Sequence, residues 1–568
     1  PTNPVALLEL KDDRSDEKRY ITNFSADYRI PFLPELRANL NLAYDFHFGE
    51  GEVNIPTYAA FAFDPVNGGG VHNIYSQTKK NSLLEFYLNY KKGFQRHTID
   101  LMGGYSWQHF EVDSKYKNSD VAGTPLKTIQ DSLNPAEFYL VSFFGRANYT
   151  YNEKLLLTFT LRRDGTSRFS PENRWGFFPA AALAFKVFDA DRTQFNNLKL
   201  RLGWGITGQQ EIGDYYAYLA RYKFSNAFAQ YQFGDEFITT YRPNGYDANI
   251  KWEETKTYNA GVDFSIIRDR LSGSLDLYKR YTTDLLNEIP VPAGTNLTNF
   301  IVTNVGNMEN KGLEFSLFAT PVMNQNVTWD ISANVAFNQN EITKLRAIDD
   351  PDYAGILVGG ISGGVGSTIQ IHTVGYAPYS YFVYEQAYDE NGQIIEGVFV
   401  DRNADGVVND EDKYRFAKPS ADMTLGFTNR LQIKNFDFGF AGRASIGNYM
   451  YNNVQTDRGY LDRLFLETGG KSLWNVHQSA VDLDVHTQGN LTLSDYFVQK
   501  ADFLKIDHVT VGYNFNDLIG KFLRLSVTMQ NVLTISKYEG LDPEIFSGID
   551  NSIYPRPRTF VFGLNVEF

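Results

Sequence analysis

The chain has 568 residues, a formal net charge of −14 at pH 7, 36 Tyr, 44 Phe and no Cys. Without Cys there are no disulfides, thiolate metal sites or cysteine nucleophiles, and the acidic balance argues against nucleic acid, whose phosphates need clustered Lys and Arg. The longest nearly apolar run, Phe177 to Phe185, is far short of the roughly 20 residues a membrane-spanning helix takes.

At the start of the chain, Pro1 to Leu10 has neither a basic opening nor an apolar stretch, so no signal peptide is read there. Period-two alternation then recurs from Tyr20 to Ile30 through to the last residue and gives about seventeen strands. A tight turn falls at Tyr151 to Lys154. Thr255 to Asp284 reads as a hairpin turning at Ile267 to Arg270, with Tyr258, Ala260, Val262 and Phe264 toward lipid and Asn259, Gly261, Asp263 and Ser265 toward a lumen. Trp329, Ile331, Ala333, Val335 and Phe337 alternate with Asp330, Ser332, Asn334, Ala336 and Asn338. Phe436, Phe438 and Phe440 follow a turn at Lys434 and Asn435, and Phe560, Phe562, Leu564, Val566 and Phe568 close the chain.

Between these hairpins lie long connections: Gly49 to Lys80, Val112 to Glu137, Gly208 to Ile250, Asn287 to Met308, Asn340 to Ser420, Tyr451 to Asp495, and Thr534 to Arg556. Short turns on one side and long loops on the other predict an all-β fold, a transmembrane antiparallel β-barrel with periplasmic turns and extracellular loops. Aromatics at strand ends, such as Tyr105, Trp107, Trp175 and Trp204, fit interfacial girdles.

Asp401, Asn403, Asp405, Val407, Asn409 and Asp412 follow the D-x-N-x-D-G calcium-loop spacing, with Gly406 at the turn and a carboxylate at the twelfth position. Asp in place of Glu at Asp412 predicts weak affinity, roughly 10⁻⁴ to 10⁻³ M, and a structural role on the extracellular side. The alternative is a solvated Asp/Asn/Gly turn. Gly360, Ile361, Ser362, Gly363 and Gly364 formally match G-x-S-x-G but lack the strand and helix of a nucleophile elbow, and read as a loop. The eight His are scattered. No catalytic constellation is read, so no enzyme is expected.

Seven segments resemble the SusC/RagA group of TonB-linked outer-membrane transporters. They are Arg162 to Ala180, Leu198 to Tyr215, Trp252 to Phe264, Asn304 to Leu317, Asp401 to Phe427, Ala501 to Phe515, and Met529 to Glu544. The resemblance implies a 22-stranded barrel of which residues 1–568 are the C-terminal part, with an N-terminal plug and first strands missing from view. It also implies an outer-membrane, multi-pass location in a Gram-negative, Bacteroidota-like cell, and active import of glycans or peptides. The implied partners are a SusD-like surface lipoprotein, the TonB–ExbB–ExbD machinery through the absent N-terminal region, the lipid and lipopolysaccharide bilayer, and a second transporter–lid pair. A structural or adhesive barrel without transport is the alternative. Tyr215, Tyr216, Tyr379 and Tyr381 could stack on sugar rings or serve as loop core, and no individual substrate contact is assigned. Phe568 resembles the C-terminal assembly signal of such barrels.

Overall fold

The computed structural model describes residues 4–64, 69–124, 129–189, 195–224, 230–291, 298, 300–345, 353–362, 366–465, 474–490, 492–518, 521–551 and 553–567. Among the described residues seventeen long strands form one sheet, the number expected from the alternation. Among the described residues no helix is long and apolar enough to cross a membrane, which says nothing of strands. The chain divides into two units: Pro1–Leu183 with Gly205–Thr255 and Asp284–Asn304, and Ala184–Trp204 with Lys256–Thr283 and Val305–Phe568.

In the first unit, Asp12–Arg29, Leu36–Ile55, Val71–Phe94, His97–Asn118, Ile129–Tyr151 and Leu155–Thr166 each pair antiparallel with the next. One cross-strand row reads Phe24, Leu42, Leu84, Trp107 and Val141. The adjacent row, on the opposite face, reads Ser25, Asn41, Glu85, Ser106 and Ser142. Because successive side chains alternate across a strand, the sequence pattern becomes one apolar and one polar face.

The strands are longer than the alternation alone suggests. Val71–Phe94 has 24 residues, where about 9–11 suffice to cross a bilayer. The connections expected at Gly49 to Lys80 and Val112 to Glu137 therefore shrink to residues 56–70 and 119–128. Beyond the apolar belt both faces of a strand meet water, so pairing continues there without the alternation that marks it in sequence.

Turns close as expected. Asn152 and Glu153 take φ of 52° and 55°, and Lys434 takes 50° in the two-residue link between Ile433 and Phe436. Ile267, Arg268 and Asp269 all have positive φ in the link between Glu253–Ile266 and Leu271–Thr283.

The second unit repeats the two-faced wall. Leu275, Phe315, Val335, Leu425, Ala444, Leu504 and Ile535 form one apolar row across seven strands. The neighbouring row on the other face is Ser274, Ser316, Asn334, Gly426, Arg443, Lys505 and Thr534. The long connections of this unit have a core of their own, in which Tyr381, Val383, Tyr451, Val485, Phe497 and Ile549 pack together. Phe568, Gly363 and Gly364 lie outside the described residues.

Candidate functional site

The polar face of the second unit is laced with ion pairs. Arg201 reaches Asp263 with Nε at 3.0 Å and Nη2 at 2.7 Å, and Asp276 with Nη1 at 2.8 Å and Nη2 at 2.9 Å. Lys199 adds a contact to Asp263 at 2.7 Å. Gly261 makes room for this fork. A Cβ there would sit 2.5 Å from an Asp276 oxygen and 2.8 Å from the Arg201 guanidinium carbon. Gly261 and Asp263 thus share the polar face, as expected, but Gly261 is a close-packed position rather than a tolerant one. Farther along, Arg524 forks onto Asp437 at 2.6 and 2.9 Å. Beside the Arg201 network, a recess is lined by Asn197, Ser265, Ser274, Ser316, Ser332 and Asn334. Bidentate Arg–carboxylate pairs of this kind hold their own charges in fixed geometry.

Where strands meet loops, a second cluster ties down the last long connection. Lys505, nearly fully buried, donates to Asp542 at 2.6 Å and Glu544 at 2.9 Å. Arg443 bridges Glu544 at 2.8 Å and Asp507 at 2.6 Å, and Arg556 approaches Asp542 at 3.1 Å. Burial pushes the Glu544 carboxyl up, but hydrogen bonds from Arg443 and Lys505 and their charges outweigh it and hold the group below its ordinary value. Sequence reading missed both clusters, because their partners stand up to 101 residues apart and meet only through strand pairing and the docking of the last connection.

The segment Asp401 to Asp412 folds as a compact loop. The Gly406 N–H donates to Asp401 Oδ2 at 2.8 Å, Asp405 N–H to Asn403 Oδ1 at 3.0 Å, and Val407 N–H to Asp405 Oδ1 at 2.8 Å. Asp412 is fully buried and accepts backbone N–H groups from Arg402 at 2.8 Å and Asn409 at 2.8 Å. The donors from Asn409, Asn403 and Arg402 hold its carboxyl below the usual carboxylate range. Asp401 Oδ1 is buried and accepts no hydrogen bond among the described residues. One carboxylate oxygen is thus unspent, but most of the other side-chain oxygens of the loop already accept N–H groups, and Asp401, Asp405 and Asp412 do not converge as a three-carboxylate group among the described residues. The loop is docked by Tyr384, whose hydroxyl donates to Asp410 at 3.0 Å, and by the Arg402–Glu385 pair. Burial, then Asp410, pushes the Tyr384 hydroxyl up to about 12.

A metal-capable cluster without any spacing motif in the sequence stands in the first unit. His109 Nε2 lies 2.8 Å from Glu137 and Nδ1 lies 3.5 Å from Glu111, with all three ligand atoms within 4.8 Å of one another. Lys80 occupies Glu111 at 2.8 Å, and the His109 ring stacks on Tyr139 at 4.0 Å. Of the four tyrosines considered for stacking, Tyr381 is loop core. Tyr379 is exposed beside His372, Tyr215 lines a recess, and the Tyr216 hydroxyl accepts the Glu137 N–H at 3.3 Å.

The segment Arg162 to Ala180 builds a packed corner with Trp252. Phe169 and Phe178 meet the Trp252 ring edge-on, at 5.6 and 5.2 Å, and its Nε1 donates to the Arg174 carbonyl at 2.9 Å. Residues 6–378 match a family model described as TonB dependent receptor-like, beta-barrel. The chain belongs to this family of TonB-dependent receptor-like β-barrels. It is 41% identical to the TonB-dependent receptor SusC of Bacteroides thetaiotaomicron, over all of this chain and 58% of that protein. It is 30% identical to the TonB-dependent receptor P3 of Formosa agariphila, over all of this chain and 60% of that protein. The chain thus spans about three-fifths of the length of these curated relatives.

Among solved structures, the RagAB peptide transporter matches with a TM-score of 0.81 at 21% identity, over 99% of this chain and 63% of that one. At that identity the likeness shows the fold. The RagAB peptide importer in its open-open state matches with a TM-score of 0.77 at 22% identity, over 99% of this chain and 62% of that one. The antiparallel β-barrel expected from the alternation and the resemblance to the SusC/RagA group are both borne out. As a member of this family the chain is a multi-pass outer-membrane protein.

Proposed function

We propose that this chain supplies wall strands and extracellular loops of a TonB-powered outer-membrane importer of large nutrients, glycans or peptides. The observation that carries the reading is the two-faced wall. The same strands present an apolar row to lipid and a polar, ion-paired row to cargo, under loops that keep a hydrophobic core of their own. The kinship to SusC and the fold shared with the RagAB peptide importer support it. Bidentate pairs such as Arg201–Asp263 suit a path for hydrophilic cargo.

In this reading an N-terminal plug and further strands belong to the same protein. The near-complete exposure of Asp12–Arg29, including Ile21 on the polar face, supports a covering element there. A SusD-like lipoprotein docks on the loops, TonB–ExbB–ExbD drives gating through the plug, and two such pairs associate. Calcium held by Asp401, Asn403, Asp405, the Val407 carbonyl, Asn409 and Asp412 braces the loop without entering transport. Deleting the complete gene and following growth on oligosaccharides and oligopeptides too large for porins tests the import claim. Loss of growth on at least one class supports it, and unchanged growth on all of them favours the structural barrel. Purification of the tagged protein from outer membranes in mild detergent tests the lid: a stoichiometric lipoprotein is expected, and recovery of the barrel by itself contradicts it.

A further inference from the structure

On the polar face of the first unit, a recess of about 390 Å³ lies between strand residues and Tyr215 of the connection after Gln209. That volume falls in the range of small-ligand sites. One side is an aromatic wall. Phe110 and Phe138 stack at 4.5 Å and 8°, and Tyr215 leans on Phe138 at 5.7 Å. Arg168 backs the wall, its guanidinium carbon 4.1 Å from the Phe138 ring centre and 4.8 Å from that of Tyr215.

The other side is cationic after its internal pairs are cancelled. Arg19 is spent on Asp45 at 2.7 Å, and Lys80 on Glu111 at 2.8 Å. Lys79 makes no ion pair among the described residues and is exposed. It stands directly opposite His47 in the register. His47 has Glu17 at 3.7 Å, a carboxylate mostly in solvent, and lies within electrostatic reach of Asp45, which Arg19 already holds. In a chain of net charge −14 this recess keeps an unneutralised ammonium beside an imidazole and an aromatic face.

We propose that the recess is a substrate subsite that takes a carboxylate-bearing unit, its carboxylate on Lys79 and its ring or side-chain face against the wall of Phe110, Phe138 and Tyr215. The subsite rests on the import reading, and its ligand is either an acidic sugar or the free C-terminus of a peptide, which share this chemistry. Lys79 supplies a charge-assisted hydrogen bond, and the wall supplies apolar contact that is indifferent to which of the two arrives.

The test is equilibrium binding to the full-length protein in mild detergent. Four probes are compared: trigalacturonate, maltotriose, a phenylalanine-ended tripeptide with a free C-terminus, and the same tripeptide amidated. At least one acidic probe is expected to bind about tenfold or more tightly than its neutral counterpart, the scale of one charge-assisted hydrogen bond. Lys79→Gln should erase that difference and Lys79→Arg should restore it. Which acidic probe responds identifies the source. The proposal is overturned if acidic and neutral probes bind alike, if no acidic probe binds, or if Lys79→Gln leaves the ratio unchanged. Uptake by intact cells, scored separately, reports on import. Its failure alongside Lys79-dependent binding would sink the import reading and leave the subsite standing.

Discussion

The Tyr381 hydroxyl lies 2.7 Å from the carbonyl oxygen of Gly548, a residue 167 positions later in the chain. It also lies 2.9 Å from the Tyr449 carbonyl, so one buried phenol joins three long connections. Gly548 has φ of +73°, and a Cβ there would meet Pro419 Cβ at 2.4 Å and the Tyr381 hydroxyl at 2.6 Å. Tyr381→Phe should therefore loosen the loops by about 1 kcal/mol, the net worth of a buried hydrogen bond, since the Gly548 carbonyl still accepts the Tyr451 N–H. Gly548→Ala should cost more, through backbone strain and collision together. Limited proteolysis of the loops reads both, while resistance of the barrel to heat in detergent stays unchanged. Equal protection of wild type and Gly548→Ala would contradict the packing.

Val262→Arg places a cation on the lipid-facing side of its strand and should destabilise the folded barrel by roughly 2–4 kcal/mol if it lies near the midplane. Gly261→Ala should also be destabilising, since the added Cβ intrudes on the Arg201–Asp276 fork. Urea-dependent folding into lipid vesicles measures each. A neutral Gly261→Ala would mean that the fork relaxes freely.

The Lys505 cluster sets an acid limit on the last connection. The Glu544 carboxyl is held below its ordinary value, so the stability it contributes is complete above about pH 4.3 and is lost as pH falls through the lowered value. Hydrogen exchange at residues 537–551 should be flat from pH 7 to about 5, after correction for intrinsic rates, and rise only in stronger acid. Lys505→Met leaves Asp542 and Glu544 with Arg556 and Arg443 alone and should cost less than the roughly 3–5 kcal/mol of a buried charge left without any partner. A rise in exchange already near pH 6 would point to another group.

Calcium removal should open residues 401–412 to protease while the wall stays intact, and Asp401→Ala with Asp405→Ala should do the same without chelator. Isothermal titration of the full-length protein should show one site of weak affinity that the double substitution removes. Identical cleavage with and without chelator would favour a plain Asp/Asn turn held by the backbone bonds already seen at Asp412.

The alternation in sequence located the wall well, because lipid on one side and polar side chains on the other leave a period of two in residues such as Phe436, Asp437, Phe438 and Gly439. Turns were legible too, at Ile267 and Lys434, where tight polar links needed no long-range information. Strand ends above the membrane were not, since residues such as Glu50 and Glu52 have water on both sides and lose the pattern. The loop of Asp401 was visible from local ligand spacing. The Arg201, Lys505 and Lys79 sites were not, because each depends on which strand or loop residue comes to stand opposite, and a single sequence does not carry that pairing.

Transport itself is the central claim. Accumulation of a fluorescent oligosaccharide and a fluorescent oligopeptide, each too large for porins, can be followed in cells with the intact gene, without it, and with it in the presence of a proton uncoupler. The account predicts uptake of at least one cargo that vanishes on deletion and falls to the same level with the uncoupler. Uptake of both cargoes that is unchanged by deletion, in cells that lose surface attachment instead, would contradict it.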